Sequence, residues 1–149
     1  MSLLLLTALP SIIIVIYFVK SDKFKEPTGE IVKVFFYGIL ITIPAYILNT
    51  FLSNIWYETK LSEDLISSFF TAAPVEEGLK LSILYFFVYK MKDFNEPIDG
   101  VVYGVCASLG FATLENFYYV YLLADYYDTS SMTMAVLRSF SAVPAHAAF

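Results

Sequence analysis

Glu76 and Glu77 stand side by side inside an apolar stretch, with uncharged residues from Leu65 to Val75 before them and from Leu81 to Tyr89 beyond Lys80. In a bilayer each such ionisable group costs about 2.5–3.5 kcal/mol near the centre, so intramembrane charges mark functional sites by default. Lys80 follows Glu76 by four residues and Glu77 by three, and both spacings bring side chains together on one helix face. One lysine balances one carboxylate. The other is left in a poor solvent with no counter-ion on its own helix, a setting that suits a general base. For Glu77 with Lys80 the plainer reading is a structural ion pair that locks helix packing. Glu76 is then the carboxylate left for chemistry.

Three further polar groups lie in apolar surroundings downstream. Glu115 and Asn116 follow Gly100, Gly104, Ser108 and Ala112, which recur every fourth residue as a ridge that lets another backbone approach closely. The third apolar segment is the natural partner for that ridge. Asn116 can donate to a developing oxyanion or simply join two helices. Arg138 can anchor a glutamate or reach the headgroups. His146 is the chain's single histidine. On an ideal helix Arg138 and His146 stand about 80° apart, and Pro144 stands between them. Glu76, Glu115 and His146 together can hold a divalent metal such as zinc, or work without one around a carboxylate-activated water. The chain has no His-Glu-x-x-His pair, no Gly-x-Ser-x-Gly elbow and no aspartyl pair. Cys106, the lone cysteine, sits among apolar residues where a thiol is inert.

The elements that carry these groups follow from composition. Of 149 residues, 58% are hydrophobic and only 15% charged, with a mean hydropathy of +0.68. Soluble domains carry about 25% charged residues. The expected class is therefore all-α, a polytopic transmembrane bundle in a single domain over 1–149. The net charge of −5 comes with no basic patch, so nucleic acid is not expected as a partner. Five apolar segments can be drawn: Ser2 to Val19, Val34 to about Phe51, about Leu65 to Tyr89, about Ile98 to Leu123 and about Met132 to Phe149. The first lacks a basic leader and reads as a retained helix, not a signal peptide. Lys20, Lys23, Lys25 and Lys33 fill the first loop and Lys90 and Lys92 the third, whereas the second holds only Lys60 and the fourth none. By the positive-inside rule the odd loops are cytoplasmic and the N-terminus is outside. Counted from the outer face at 1.5 Å per residue, Glu76 then lies about 17 Å deep, Glu115 about 13 Å, Arg138 about 9 Å and His146 about 21 Å. Polar groups of three helices fall in one slab.

The same residues resemble a known pattern. Glu76-Glu77-Gly78-Leu79-Lys80 is similar to the EExxK motif of the PrsW family of intramembrane proteases, relatives of the CAAX-processing and bacteriocin-processing (CPBP) membrane proteases. Glu96 to Gly104 and Gly110 to Asn116 resemble its EPxDGxxYG and GFAxxEN elements, and Arg138 with Pro144-Ala145-His146-Ala147 resembles its arginine and PxHA element. The likeness covers roughly residues 65–149. It implies an endopeptidase in the bacterial plasma membrane that cuts a single-span, anti-sigma-type substrate as the first step of a stress response. By this resemblance Glu76 activates water, Glu77 and Glu115 support it, and His146 helps to hold the water or a metal. Lys80, Asn116, Arg138 and Asp99 form the supporting set. The family pattern runs on to a later histidine element, so the chain is expected to be a C-terminally truncated member whose own activity depends on what is missing. Two alternatives stand beside the protease. One is a non-catalytic regulatory or immunity-like relative. The other is a small transporter, against which the lack of an internal repeat speaks.

Overall fold

The computed structural model describes residues 2–56 and 71–148, and every described element is helical. Helix α1 spans Leu3–Ser21, α2 Thr28–Trp56, α3 Ala73–Phe86, α4 Pro97–Tyr118, α5 Ser131–Phe140 and α6 Ala142–Ala147. A short 3₁₀ turn, Val88–Lys90, follows α3, and a π-helical segment, Tyr119–Leu123, continues α4.

Among the described residues, three helices are long and apolar enough to cross a membrane: Leu3–Ser21, Thr28–Asn54 and Pro97–Leu123. The protein is read accordingly as an integral membrane protein. The third segment contributes α3, 14 residues long, and its expected start at Leu65 lies outside the described residues, as do Lys60 and Phe149. The fifth segment is not one helix. It breaks at Ser141 into α5 and α6. Pro144 explains the break, because its ring has no N–H for the Phe140 carbonyl and collides with it in a continuous helix. Pro10 and Pro44 leave α1 and α2 unbroken, as proline does where neighbours satisfy the freed groups.

Helix α4 is the axis of the bundle. In its apolar window 72% of residues are buried, against 11% for α1 and 22% for α2. Residues Val102 through Thr113 are buried without interruption, and a helix covered on every side lies in the middle of a bundle. The outer helices turn Leu5, Ile13, Ile16, Phe36, Leu40, Ile47 and Phe51 outward. Such a surface suits lipid and would be a large exposed apolar patch in water.

Among the described residues, the closest packing on α4 comes from α2. Helix α2 makes the most extensive contact. A Cβ on Gly38 would overlap the Ala107 carbonyl, and one on Gly110 would overlap the Phe35 carbonyl. The two backbones touch because both positions lack a side chain. Gly38→Ala is therefore expected to destabilise the bundle by at least about 1–3 kcal/mol, the usual range for overpacking. Thermal unfolding in detergent reads this directly. A melting temperature equal to wild type would mean that α2 and α4 are not in backbone contact.

The first turn of α4 is fixed by Asp99. Its Oδ2 accepts the backbone N–H groups of Asn95 and Glu96, each at 2.8 Å. Pro97 occupies a first-turn position, where no N–H is needed.

Candidate functional site

Helix α3 carries Glu76, Glu77 and Lys80 toward α4, and the break at Ser141 swings α6 so that His146 faces the same place. Glu115 is the meeting point. Its Oε2 accepts from Arg138 Nη2 at 2.5 Å and lies 3.2 Å from His146 Nε2. Arg138 Nε donates to Asn116 Oδ1 at 2.7 Å, and the guanidinium stacks 4.0 Å from the centre of the Tyr119 ring. Arg138 is thus an anchor for Glu115. Its two nitrogens read adjacent residues of α4, Glu115 and Asn116. Tyr119 opens the π-helical segment, a distortion of the kind that often marks working sites.

On the other side of His146 stands Lys80, almost fully buried. Its Nζ lies 2.7 Å from Glu77 Oε1 and 2.9 Å from His146 Nδ1, and 4.8 Å from the centre of the Phe111 ring. A lysine ammonium only donates, so Nδ1 accepts and the network assigns the ring proton to Nε2, directed at Glu115. One chain of contacts therefore runs Glu77, Lys80, His146, Glu115, Arg138, Asn116.

Glu76 stands beside this chain, outside it. Among the described residues its one direct hydrogen bond is a long one, 3.5 Å from Asn49 Nδ2 on α2. The carboxylate lines the wall of a groove of about 790 Å³ between α2 and α4. Its floor and rim are mostly apolar and aromatic, with Tyr46, Leu114, Tyr118 and Leu122 among the lining residues. Thr42, Asn49, Thr50 and Ser53 add polar atoms from α2. The three hydroxyls spend their hydrogens on their own helix, on the carbonyls of Gly38, Tyr46 and Asn49, and keep lone pairs free to accept. Asn49 Oδ1 is buried without a partner.

The candidate residues are thus not equally placed. Glu76, Glu77, Lys80, Glu115, Asn116, Arg138 and His146 are brought together. Asp99 is not: it sits in the first turn of α4, about 24 Å along the helix from Glu115 at 1.5 Å per residue, where it caps. Asn49 and Tyr119 escape sequence reasoning. The one available signal for Asn49 is an amide in an otherwise apolar run, which a spanning helix rarely carries idle.

Glu76, Glu115 and His146 each bring a donor atom within 4.8 Å of the other two. Two carboxylates and an imidazole supply three donors of types that zinc accepts, the number a hydrolytic zinc centre takes while it keeps a fourth position open. A metal on His146 Nε2 would displace the proton now directed at Glu115.

Residues 26–149 match the family described as PrsW family intramembrane metalloprotease. The chain is 36% identical to Protease PrsW of Geobacillus kaustophilus (strain HTA426) over a match that takes in 94% of this chain and 58% of the relative. It is 31% identical to Protease PrsW of Clostridioides difficile (strain 630), over 100% of this chain and 62% of the relative. With Protease PrsW of Bacillus subtilis (strain 168) the identity is 36% over 74% of this chain and 50% of the relative. The chain thus spans between half and about three fifths of the length of these relatives. No solved structure matches it.

Proposed function

The chain belongs to the PrsW family of intramembrane metalloproteases, and we propose from that premise that Glu76 is the general base that activates water against a peptide bond held in the α2–α4 groove. One observation carries this reading. Of the two glutamates on the groove wall, Glu115 is held by Arg138 and His146, whereas among the described residues Glu76 has only the long contact to Asn49. A base needs lone pairs to take a proton from water, and Glu76 has them to spare.

The other residues have supporting tasks in this reading. Glu115 fixes the His146 tautomer. Arg138 neutralises Glu115. Glu77 holds Lys80, and Lys80 orients the imidazole. The water lies between Glu76 and the His146 edge. Asn116 is taken up by Arg138 and serves to orient it.

The substrate is a membrane protein that crosses once, of the anti-sigma type, entering with the N-terminus of the enzyme outside and the site in the outer half of the bilayer. A peptide bond within a helix is shielded by its own hydrogen bonds, so the segment must unwind to be cut. Unwound N–H groups in an apolar groove need acceptors. Asn49 Oδ1 and the hydroxyls of Thr42, Thr50 and Ser53 offer them.

A second reading follows from the donor set of Glu76, Glu115 and His146. These residues would hold a transition-metal ion, which when bound would acidify the attacking water. The two readings separate in one assay with full-length protein in liposomes and a tagged single-span substrate. Treatment with 1,10-phenanthroline removes zinc-like ions and leaves Mg²⁺ and Ca²⁺ in place. The glutamate reading expects cleavage to survive it. Cleavage lost with the chelator and restored by zinc supports the metal reading. Failure of the full-length protein to cut any of a panel of single-span substrates would sink both.

A further inference from the structure

A second group of acids is buried at the opposite end of the central helix. Asp22 closes α1, Glu26 lies in the loop to α2, and Asp99 is in the first turn of α4. Each brings a carboxylate oxygen within 4.8 Å of the other two. Their exposures are 6%, 8% and 1%. Tyr103, fully buried one turn along α4, donates its hydroxyl to Glu26 Oε2 at 2.6 Å.

Among the described residues no cationic side chain forms an ion pair with these three acids. Among the described residues, the ion pairs join Lys33 to Glu30, Lys80 to Glu77, and Arg138 and His146 to Glu115. Lys23 and Lys25 alternate with the acids in the same loop but are exposed, and Lys23 lies over the Phe24 ring. Backbone donors meet part of the need: Asn95 and Glu96 N–H at Asp99 Oδ2, and Phe24 N–H at Asp22 Oδ1 at 3.1 Å. Asp22 Oδ2 is buried and has no partner. Buried charges are as a rule paired or bound to metal, so an orphaned carboxylate oxygen among two more carboxylates calls for a cation.

We propose that Asp22, Glu26 and Asp99 bind a hard divalent cation, Mg²⁺ or Ca²⁺, which clamps the α1–α2 loop onto the first turn of α4. The donor set is all oxygen, with neither imidazole nor thiolate, and this selects hard ions over zinc or copper. Oxygens bound to one such ion at about 2.0–2.6 Å can lie up to about 4–5 Å apart, and the three carboxylates fall within that span, each within 4.8 Å of the others. The site is separate from the Glu76 group and independent of the proteolytic reading.

The test uses full-length protein in detergent, stripped with EDTA and then titrated with Mg²⁺ or Ca²⁺ as the sole divalent ion. At about one hundred times the dissociation constant, the wild-type melting temperature is expected to rise by roughly 5–10 °C. Glu76→Gln should show the same rise, because it dismantles only the other group. Asp22→Asn keeps an acceptor for the Phe24 N–H but loses the charge. It should melt above stripped wild type and no longer respond to either ion. Glu26→Gln supplies the same comparison if Asp22→Asn does not fold. Equal rises in wild type and both variants overturn the proposal, as does a rise lost only in Glu76→Gln. Absence of any rise, with a stripped protein that gains stability from pH 8 to pH 5, would assign the cluster to shared protons instead.

Discussion

Glu76→Gln in the full-length protein is expected to insert and fold like wild type while cleavage of a single-span substrate falls by about 10²–10⁴-fold, the range that a general base supplies. Gln is nearly isosteric and keeps an oxygen for Asn49 Nδ2, so the groove wall is preserved. It cannot take a proton from water. Folding should change little, since the substitution breaks no ion pair and removes a charge that the apolar surroundings penalise. The comparison needs two readouts on the same membranes: cleaved substrate, and melting temperature of the purified enzyme. Lost cleavage with an unchanged melting temperature supports Glu76 as base. Cleavage at the wild-type rate would remove Glu76 from the chemistry and overturn its assignment as the base. A matching loss from Glu77→Gln carries a different meaning. Glu77 anchors Lys80, and Lys80 contacts His146, so that variant disturbs the imidazole and not the proton acceptor.

How much of this arrangement the sequence discloses depends on the kind of interaction. Charges in apolar runs are expensive, so Glu76, Glu77, Lys80, Glu115 and Arg138 stand out individually, and a depth count is enough to put them in one slab with His146. That count uses helical rise together with the expected segment ends and orientation. Azimuth is another matter. A straight fifth helix puts Arg138 and His146 about 80° apart, yet both reach the same oxygen of Glu115, because the chain breaks at Ser141 and restarts as α6. Pro144 announces a disturbance but not its direction. Helix pairing is equally hard to foresee. The Gly100–Ala112 ridge is genuine as a pattern of small residues, but backbone contact forms through Gly110 and Gly38, and single glycines on two helices show no periodicity. Asp99 is the opposite case. Its motif neighbours Glu115 in sequence, and its type suits a catalytic set, but 16 residues of helix carry it to the far end of the bundle, where it caps α4. The acidic cluster around it combines a loop, a helix end and a helix start, which no periodic reading connects.

Arg138 should be the residue on which the fold of the site depends most. Glu115 and Arg138 are both largely buried, with side-chain exposures of 20% and 13%. Removing one partner of a buried pair strands the other, at a cost of about 3–5 kcal/mol. Arg138→Met is expected to destabilise the protein by that amount, as read by denaturant unfolding in mixed micelles. It also frees Asn116 and uncovers the Tyr119 ring, both of which the guanidinium now occupies. Replacing both partners, Arg138→Met with Glu115→Leu, should recover most of the lost stability, because apolar residues of similar volume replace a buried pair with little penalty. Activity should not return with it. Without Glu115, His146 Nε2 has lost its acceptor, and the contact with Lys80 alone no longer fixes the ring. Stability regained with cleavage still absent would separate the electrostatic role of the pair from its role in orienting the imidazole. If Arg138→Met costs less than about 1 kcal/mol, the pair behaves like an exposed one, and Glu115 is not the buried, neutralised partner that leaves Glu76 as the base.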